Sequence, residues 1–121
     1  MIPDTTSIDE IGNLQVLENS VIVCAGKVYE ARVALFIAAE SVIDAASALK
    51  RAELQATNSG AVTGSNETIR KAQLAEITTP ESEALIVAQK NERKTRFEYD
   101  TVQNELDVLR YRLRIAELLY S

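Results

Sequence analysis

Apolar residues recur at alternating intervals of three and four through most of the second half of the chain. This spacing is that of a heptad repeat, in which one apolar stripe packs against a neighbouring helix. The stripe comprises Leu85, Ala88, Glu92, Thr95, Tyr99, Val102, Leu106, Leu109, Leu113, Ala116 and Tyr120. It predicts a long helix at about residues 80–119, with Thr79 as the N-cap and Pro80 as the first helical residue.

The first half of the chain predicts a second long helical region at about residues 7–56. Ser7 and Glu10 have the spacing of a capping box, which favours a helix start at this point. A heptad stripe follows, formed by Val28, Arg32, Leu35, Ala39, Val42, Ala46 and Leu49. We therefore expect this helix to pack along the later one as the other half of a coiled-coil-like pair.

Further apolar residues of the first helical region lie outside its heptad stripe. They include Val33, Phe36, Ile37 and Ile43. A helix in a simple two-helix pair needs only one buried face, so these residues predict burial on a second side. We interpret them as a candidate interface between copies of the chain.

Residues 57–79 separate the two helical regions and contain the turn-forming sequence TNSGAVTGSN. A short helix is expected at Glu67–Ile77, with Ser65 or Asn66 as its N-cap. Most connections between packed helices need two to eight residues, so this one is long enough to carry a binding surface. The candidate partner-binding residues of this tip are Asn66, Glu67, Arg70 and Lys71. Alternatively, the short helix only covers the end of the helix pair.

Together these elements predict an all-α fold in a single domain, residues 1–121. The expected architecture is a long antiparallel helical hairpin with a short helix at its tip, assembled into an oligomeric bundle. Aligning the two helices at the tip pairs Glu40 with Arg96, Asp44 with Glu92 and Arg93, and Arg32 with Glu105 and Asp100. We therefore interpret Glu40 and Asp44 as salt-bridge partners rather than as half of a dinuclear metal site.

The charge of the chain argues against general binding to nucleic acids. Acidic residues outnumber basic ones by 18 to 13, for a net charge of −5, and a basic surface is needed to displace counterions. A local exception is a possible phosphate-contacting stripe formed by Lys90, Arg93, Lys94 and Arg96. The same residues are more typical of a solvated or cross-paired helical face, since acidic residues lie among them.

The residues that usually carry catalysis are scarce. The chain has no histidine and a single cysteine, Cys24, and it lacks a glycine-rich phosphate loop. We therefore expect no catalytic site, no cofactor and no metal site, and we expect the protein not to be an enzyme. The most apolar window contains Arg32, Glu40 and Asp44, so no membrane span is expected and a cytoplasmic location is the expectation.

One tract of the tip resembles a known group of proteins. Gly64, Asn66 and Glu67 are followed by Arg70-Lys71-Ala72 and Leu74, ahead of a heptad helix. This pattern resembles that of small bacteriophage-encoded helical-hairpin proteins of undefined function, although Ser65 stands where a lysine is common. The resemblance implies a phage origin, a host cytoplasmic location and the hairpin layout, and it implies no activity.

The sequence therefore predicts a non-enzymatic interaction or assembly protein that acts as a homo-oligomeric helical scaffold, with a protein partner at its tip. Two other functions stay open. One is association with nucleic acids through the basic stripe of the last helix. The other is sequestration of a small molecule in a helical bundle, which would need an internal cavity.

Overall fold

The computed structural model describes the backbone of residues 5–120 and the side chains of residues 13–120. This part of the chain contains three helices and no strand: α1 at Thr5–Asn58, α2 at Glu67–Ile77 and α3 at Thr79–Tyr120. The all-helical class is therefore confirmed, with the two long helices packed along each other. The side chains of Ser7 and Glu10, which predicted a capping box, lie outside the described residues.

The end of α1 is fixed by a glycine. Gly60 has a φ of 76°, a left-handed conformation that only glycine adopts at little cost. The amide of Ala61 donates to the carbonyl of Ala56 at 3.1 Å, and the amide of Gly60 donates to that of Thr57 at 3.4 Å. These are the two hydrogen bonds of a Schellman motif, which satisfies the last free carbonyls of a helix. The chain therefore turns away from α1 at a defined place.

The limits of α2 agree with the prediction of a short helix at Glu67–Ile77. Its N-cap is Asn66, whose side-chain oxygen accepts a hydrogen bond from the amide of Ile69 at 2.9 Å. The predicted capping of α3 by Thr79 is wrong, because α3 begins at Thr79 itself and the Thr79 hydroxyl donates to the carbonyl of Ala75. The carbonyl of Thr78 instead accepts the first backbone bond of α3, from Ser82. Two adjacent threonines suit both roles, so the sequence alone does not separate them.

The contacts within the chain group into two units. Unit 1 contains the described residues up to Ala34 and from Arg96 onward, and unit 2 contains Leu35–Thr95. The core of unit 1 is a cluster of Cys24, Val28 and Leu106, each at most 5% exposed. Half-buried side chains surround this cluster: Val21, Ala25, Tyr99, Val102 and Leu109. The Cys24 thiol donates to the carbonyl of Val102 at 3.6 Å, so the cluster joins α1 to α3.

The core of unit 2 is formed by small side chains. Ala38 is 2% exposed and Ala56 is 5% exposed. Thr78 and Thr95 are also buried, and each hydroxyl donates to a carbonyl four residues earlier in its own chain segment. These hydroxyls are satisfied without a partner on another helix, so their burial costs little.

The heptad stripe predicted for α3 is the covered side of that helix. Each of its residues from Leu85 to Ala116 is buried or half-buried, and only Tyr120 at the end is exposed. The stripe predicted for α1 is partly wrong. Ala31 and Ala45 are half-buried, whereas the predicted stripe used their exposed neighbours Arg32 and Ala46. Ala39 of the predicted stripe is half-buried, next to the buried Ala38. The pattern therefore placed two of the seven positions one residue too late.

Gly26 lies inside α1 without a structural need for glycine. It is exposed, and an added Cβ would meet no atom within 4 Å. Because glycine loses more backbone entropy than alanine in a helix, we expect Gly26→Ala to raise the free energy of unfolding by about 0.5–1 kcal/mol. In thermal denaturation followed by circular dichroism, the midpoint should rise by roughly 2–5 °C. A lower midpoint would contradict the open surroundings of this glycine.

Candidate functional site

The connection between α1 and α2 is an ordered loop organised by one glutamine. The side-chain oxygen of Gln73 accepts hydrogen bonds from the amides of Thr63 and Gly64, at 2.9 and 2.8 Å. Gly64 lies directly against α2, since a Cβ at this position would be 2.5 Å from Cγ2 of Ile69. Side chains of α2 therefore hold the backbone of the tip in a fixed conformation. A preformed binding surface requires such rigidity.

The four residues predicted to bind a partner at the tip all have a contact within the tip. Asn66 caps α2, and the Arg70 guanidinium donates to the carbonyl of Gly64 at 3.3 Å. Glu67 and Lys71 form an ion pair at 3.2 Å, with both side chains about three-quarters exposed. An exposed pair of this kind contributes about 0.3–0.5 kcal/mol to helix stability. All four side chains are exposed. Their local contacts explain why these residue types occur here, and partner binding stays a prediction.

Asn66 gives a direct test of the tip. We expect Asn66→Ala to lower the free energy of unfolding by about 1 kcal/mol, because the amide of Ile69 then has no acceptor at the start of α2. The same variant should speed hydrogen exchange of the Ile69 amide. Asn66→Asp keeps an acceptor at the helix start and serves as the matched control. Equal stability of the alanine and aspartate variants would show that the cap does not hold α2.

The predicted phosphate-contacting stripe is divided between the two units. Lys90, Arg93 and Lys94 lie in unit 2, whereas Arg96 lies in unit 1. All four are exposed. Lys90, Arg93 and Lys94 form no ion pair with another described residue, so their charges face solvent. Arg96 has a contact of its own and is not part of this group. The predicted pairing of Arg93 with Asp44 is therefore wrong.

The acidic residues of α1 are on the outside of the helix. Glu40 and Asp44 are exposed, and neither forms an ion pair with any described residue, which corrects the prediction that both are neutralised by α3. Arg32 is also exposed and lies in a groove with Gln103 and Arg110 rather than beside the predicted acids. The tip alignment compared only the height of residues along the helices, and Glu40 and Asp44 lie on the side of α1 that is exposed.

The candidate interface residues of α1 are exposed. Phe36, Ile37 and Ile43 of unit 2 are 63%, 57% and 64% exposed, and Val33 of unit 1 is 41% exposed. Phe36 and Ile43 each lie two residues from a covered alanine, Ala38 or Ala45, which is about 200° around a helix. They therefore lie on the side of α1 that faces away from the covered stripe.

Sequence reasoning missed a comparable set of exposed apolar residues on α3. In unit 1 the set includes Val108, Tyr111, Ile115 and Leu118, and in unit 2 it consists of Ile86 and Val87. These four residues of unit 1 recur at intervals of three, four and three, which is the same helical signal as the covered stripe. This second stripe has the same spacing in the sequence as the covered one, so counting apolar intervals identifies both.

The described residues contain little that could carry chemistry. No group of three or more potential metal ligands occurs among them, and the Cys24 thiol is buried in the core of unit 1. One carboxylate oxygen of Glu81 is buried without a hydrogen-bond partner, beside Ala52 and Ile77 in unit 2. Over this part of the chain, no helix is long and apolar enough to cross a membrane.

Comparisons of the chain with protein-family models, with curated proteins and with solved structures returned no match.

Proposed function

We propose that this protein is a non-enzymatic assembly protein, in which copies of the helical chain associate through their outer helix faces. Within each unit, α1 and α3 would run antiparallel, as in a helical hairpin, with the tip free to contact a protein partner. The observation that carries this proposal is the row of large apolar side chains on the sides of α1 and α3 that face away from their covered stripes.

The solution mass tests this function. Light scattering coupled to size exclusion, at micromolar and at millimolar concentrations, should give a mass above the 13.3 kDa of one chain. Phe36→Ser with Ile43→Ser should lower that mass toward the single chain without loss of helix content in circular dichroism, since both side chains are exposed. A wild-type chain that stays monomeric at millimolar concentration would end the proposal.

Association with nucleic acids is the second candidate, and the free charges of Lys90, Arg93 and Lys94 favour it. If these three residues contact phosphates, the logarithm of the binding constant should fall with the logarithm of the salt concentration, with a slope of about −2.7 on double-stranded DNA and about −2.1 on single strands. Fluorescence anisotropy with single- and double-stranded DNA and RNA at low salt measures this directly. Absence of binding at low salt would exclude it.

A bacteriophage origin is supported only by the resemblance of the tract from Gly64 to Leu74. The local contacts of the tip explain much of that tract: Gly64 packs against Ile69, Asn66 caps α2 and Glu67 pairs with Lys71. We therefore interpret the tract as the sequence that folds this tip, and partner binding there as a separate proposal. Charge reversal of Lys71 should weaken partner binding if the tip is the binding surface.

A further inference from the structure

The outer side of α1 in unit 2 combines apolar and acidic residues. Phe36, Glu40, Ile43 and Asp44 recur at intervals of four, three and one, so they share one side of the helix. All four are exposed, and the two carboxylates form no ion pair with another described residue. We call these four residues the acidic face.

The outer side of α3 in unit 2 combines apolar and basic residues. Ile86 and Val87 are 49% and 66% exposed, and Lys90, Arg93 and Lys94 follow on the same side of the helix. Their charges are likewise unpaired among the described residues. We call these five residues the basic face. Burial of the apolar part of each face is favourable. Once a face is buried, its charges need partners of opposite sign.

The two faces carry their charges at the same height along the helices. Ala52 of α1 and Glu81 of α3 line one cleft of unit 2, so they lie near each other and serve as the common reference level. Glu40 stands twelve residues before Ala52, and Arg93 stands twelve residues after Glu81. Each is therefore about 18 Å from that level at 1.5 Å per residue, in the antiparallel arrangement proposed above.

The match extends to other charges of the unit. Asp44 lies eight residues before Ala52, and Lys90 lies nine residues after Glu81, so these opposite charges are also level. Nearer the tip the signs are reversed on both helices, with exposed Arg51 on α1 and exposed Glu83 on α3. On both faces the sign of the charge changes at the same height, and at each height the two faces carry opposite signs. A second copy moved sideways without rotation would therefore place its basic face against the acidic face of the first.

We propose that the acidic face of one copy docks against the basic face of the next copy, with both copies pointing in the same direction. This inference rests on the proposed self-assembly and specifies its contact. Like faces do not pair, because acidic face on acidic face would bring Glu40 and Asp44 of two copies together. The contact uses two different surfaces, so it is heterologous and continues into a ring or a filament instead of stopping at a dimer.

Charge exchange tests this contact in the full chain. The first variant carries Glu40→Lys and Asp44→Lys, and the second carries Lys90→Glu and Arg93→Glu. Each should reduce the mass measured by light scattering to 13.3 kDa at concentrations where the wild type assembles beyond a dimer. The variant with all four changes restores opposite charges on the two faces and should recover the wild-type mass.

Net charge does not explain the result expected for the first variant. The first variant gains two charge units at each of two positions, so its net charge changes from −5 to −1. Weaker general repulsion would favour association, and this variant is nevertheless expected to dissociate. Glu76→Lys on α2 is the matched control, because Glu76 is an exposed acid of unit 2 outside both faces. It should leave the mass unchanged.

The outcomes separate this contact from self-assembly in general. A wild-type chain that is monomeric at all concentrations would overturn both proposals. A wild-type oligomer whose mass survives both charge reversals would support self-assembly and overturn this contact. The contact would also be overturned if the mass stops at a dimer, or if the variant with all four changes stays monomeric while its helix content is that of the wild type.

Discussion

Replacement of Leu106 by alanine should lower the free energy of unfolding by about 2–5 kcal/mol. Leu106 is 3% exposed and is packed with Cys24 and Val28 at the centre of unit 1. The loss of its side chain removes apolar contacts on both long helices and leaves a cavity between them. Because this core contains few fully buried side chains, few neighbouring side chains can move into the cavity. Urea denaturation followed by circular dichroism measures the change.

Val108→Ala is the matched control for the core. Val108 stands two residues later on the same helix and is 52% exposed. Its truncation removes little buried area, and alanine favours the helix, so the free energy of unfolding should change by less than about 0.5 kcal/mol. Both variants are best compared at a concentration where the protein is monomeric, since Val108 lies on an outer face. Equal effects of the two substitutions would show that Leu106 is not part of a packed core.

Replacement of Gly64 by alanine should lower the free energy of unfolding by about 1–3 kcal/mol. The new Cβ would lie 2.5 Å from Cγ2 of Ile69 and 2.9 Å from the backbone nitrogen of Arg70. The side chain of isoleucine is branched next to the backbone and turns away only with difficulty, and the backbone of α2 is fixed by its own hydrogen bonds. The loop must therefore move, and the two bonds from Thr63 and Gly64 to Gln73 are expected to lengthen or break.

Two comparisons make this prediction specific. Gly26→Ala places the same methyl group in open space, so it should stabilise the protein, while Gly64→Ala destabilises it. Adding Ile69→Ala to Gly64→Ala removes the contact with Cγ2 but keeps those with Cβ of residue 69, at 3.0 Å, and with the Arg70 nitrogen. The double variant should therefore recover only part of the lost stability. A Gly64→Ala protein as stable as the wild type would mean that the loop does not lie against α2.

Local signals predicted the helices well, because they depend on neighbours in sequence. Asn66 followed by an acidic first turn marked the start of α2, and the heptad stripe from Leu85 marked the covered side of α3. The covered side of α1 was harder, since its core positions are alanines that stand beside other alanines. Ala38 and Ala39 are equally apolar, and only the packing of the folded chain makes Ala38 the buried one.

The candidate site was less predictable than the helices. The tip alignment matched residues only by their height along α1 and α3, so Glu40 and Asp44 were assigned to partners on α3 with which they form no ion pair. The contacts of Gln73 with the loop were not foreseen, because they join residues nine and ten apart without a repeating pattern. The outer apolar residues of α3 carried a readable signal, but a periodic pattern alone does not distinguish an internal core from a surface that another copy covers.

The position of Cys24 allows opening of the unit 1 core to be measured with a natural residue. The chain has one thiol, which is 4% exposed and lies in the core cluster of unit 1. An alkylating reagent can reach it only when that cluster opens, so the ratio of its labelling rate to that of an exposed thiol gives the population of the open form. The reading comes from unit 1 and from no other part of the chain. Labelling kinetics can therefore follow opening of this core without an introduced probe.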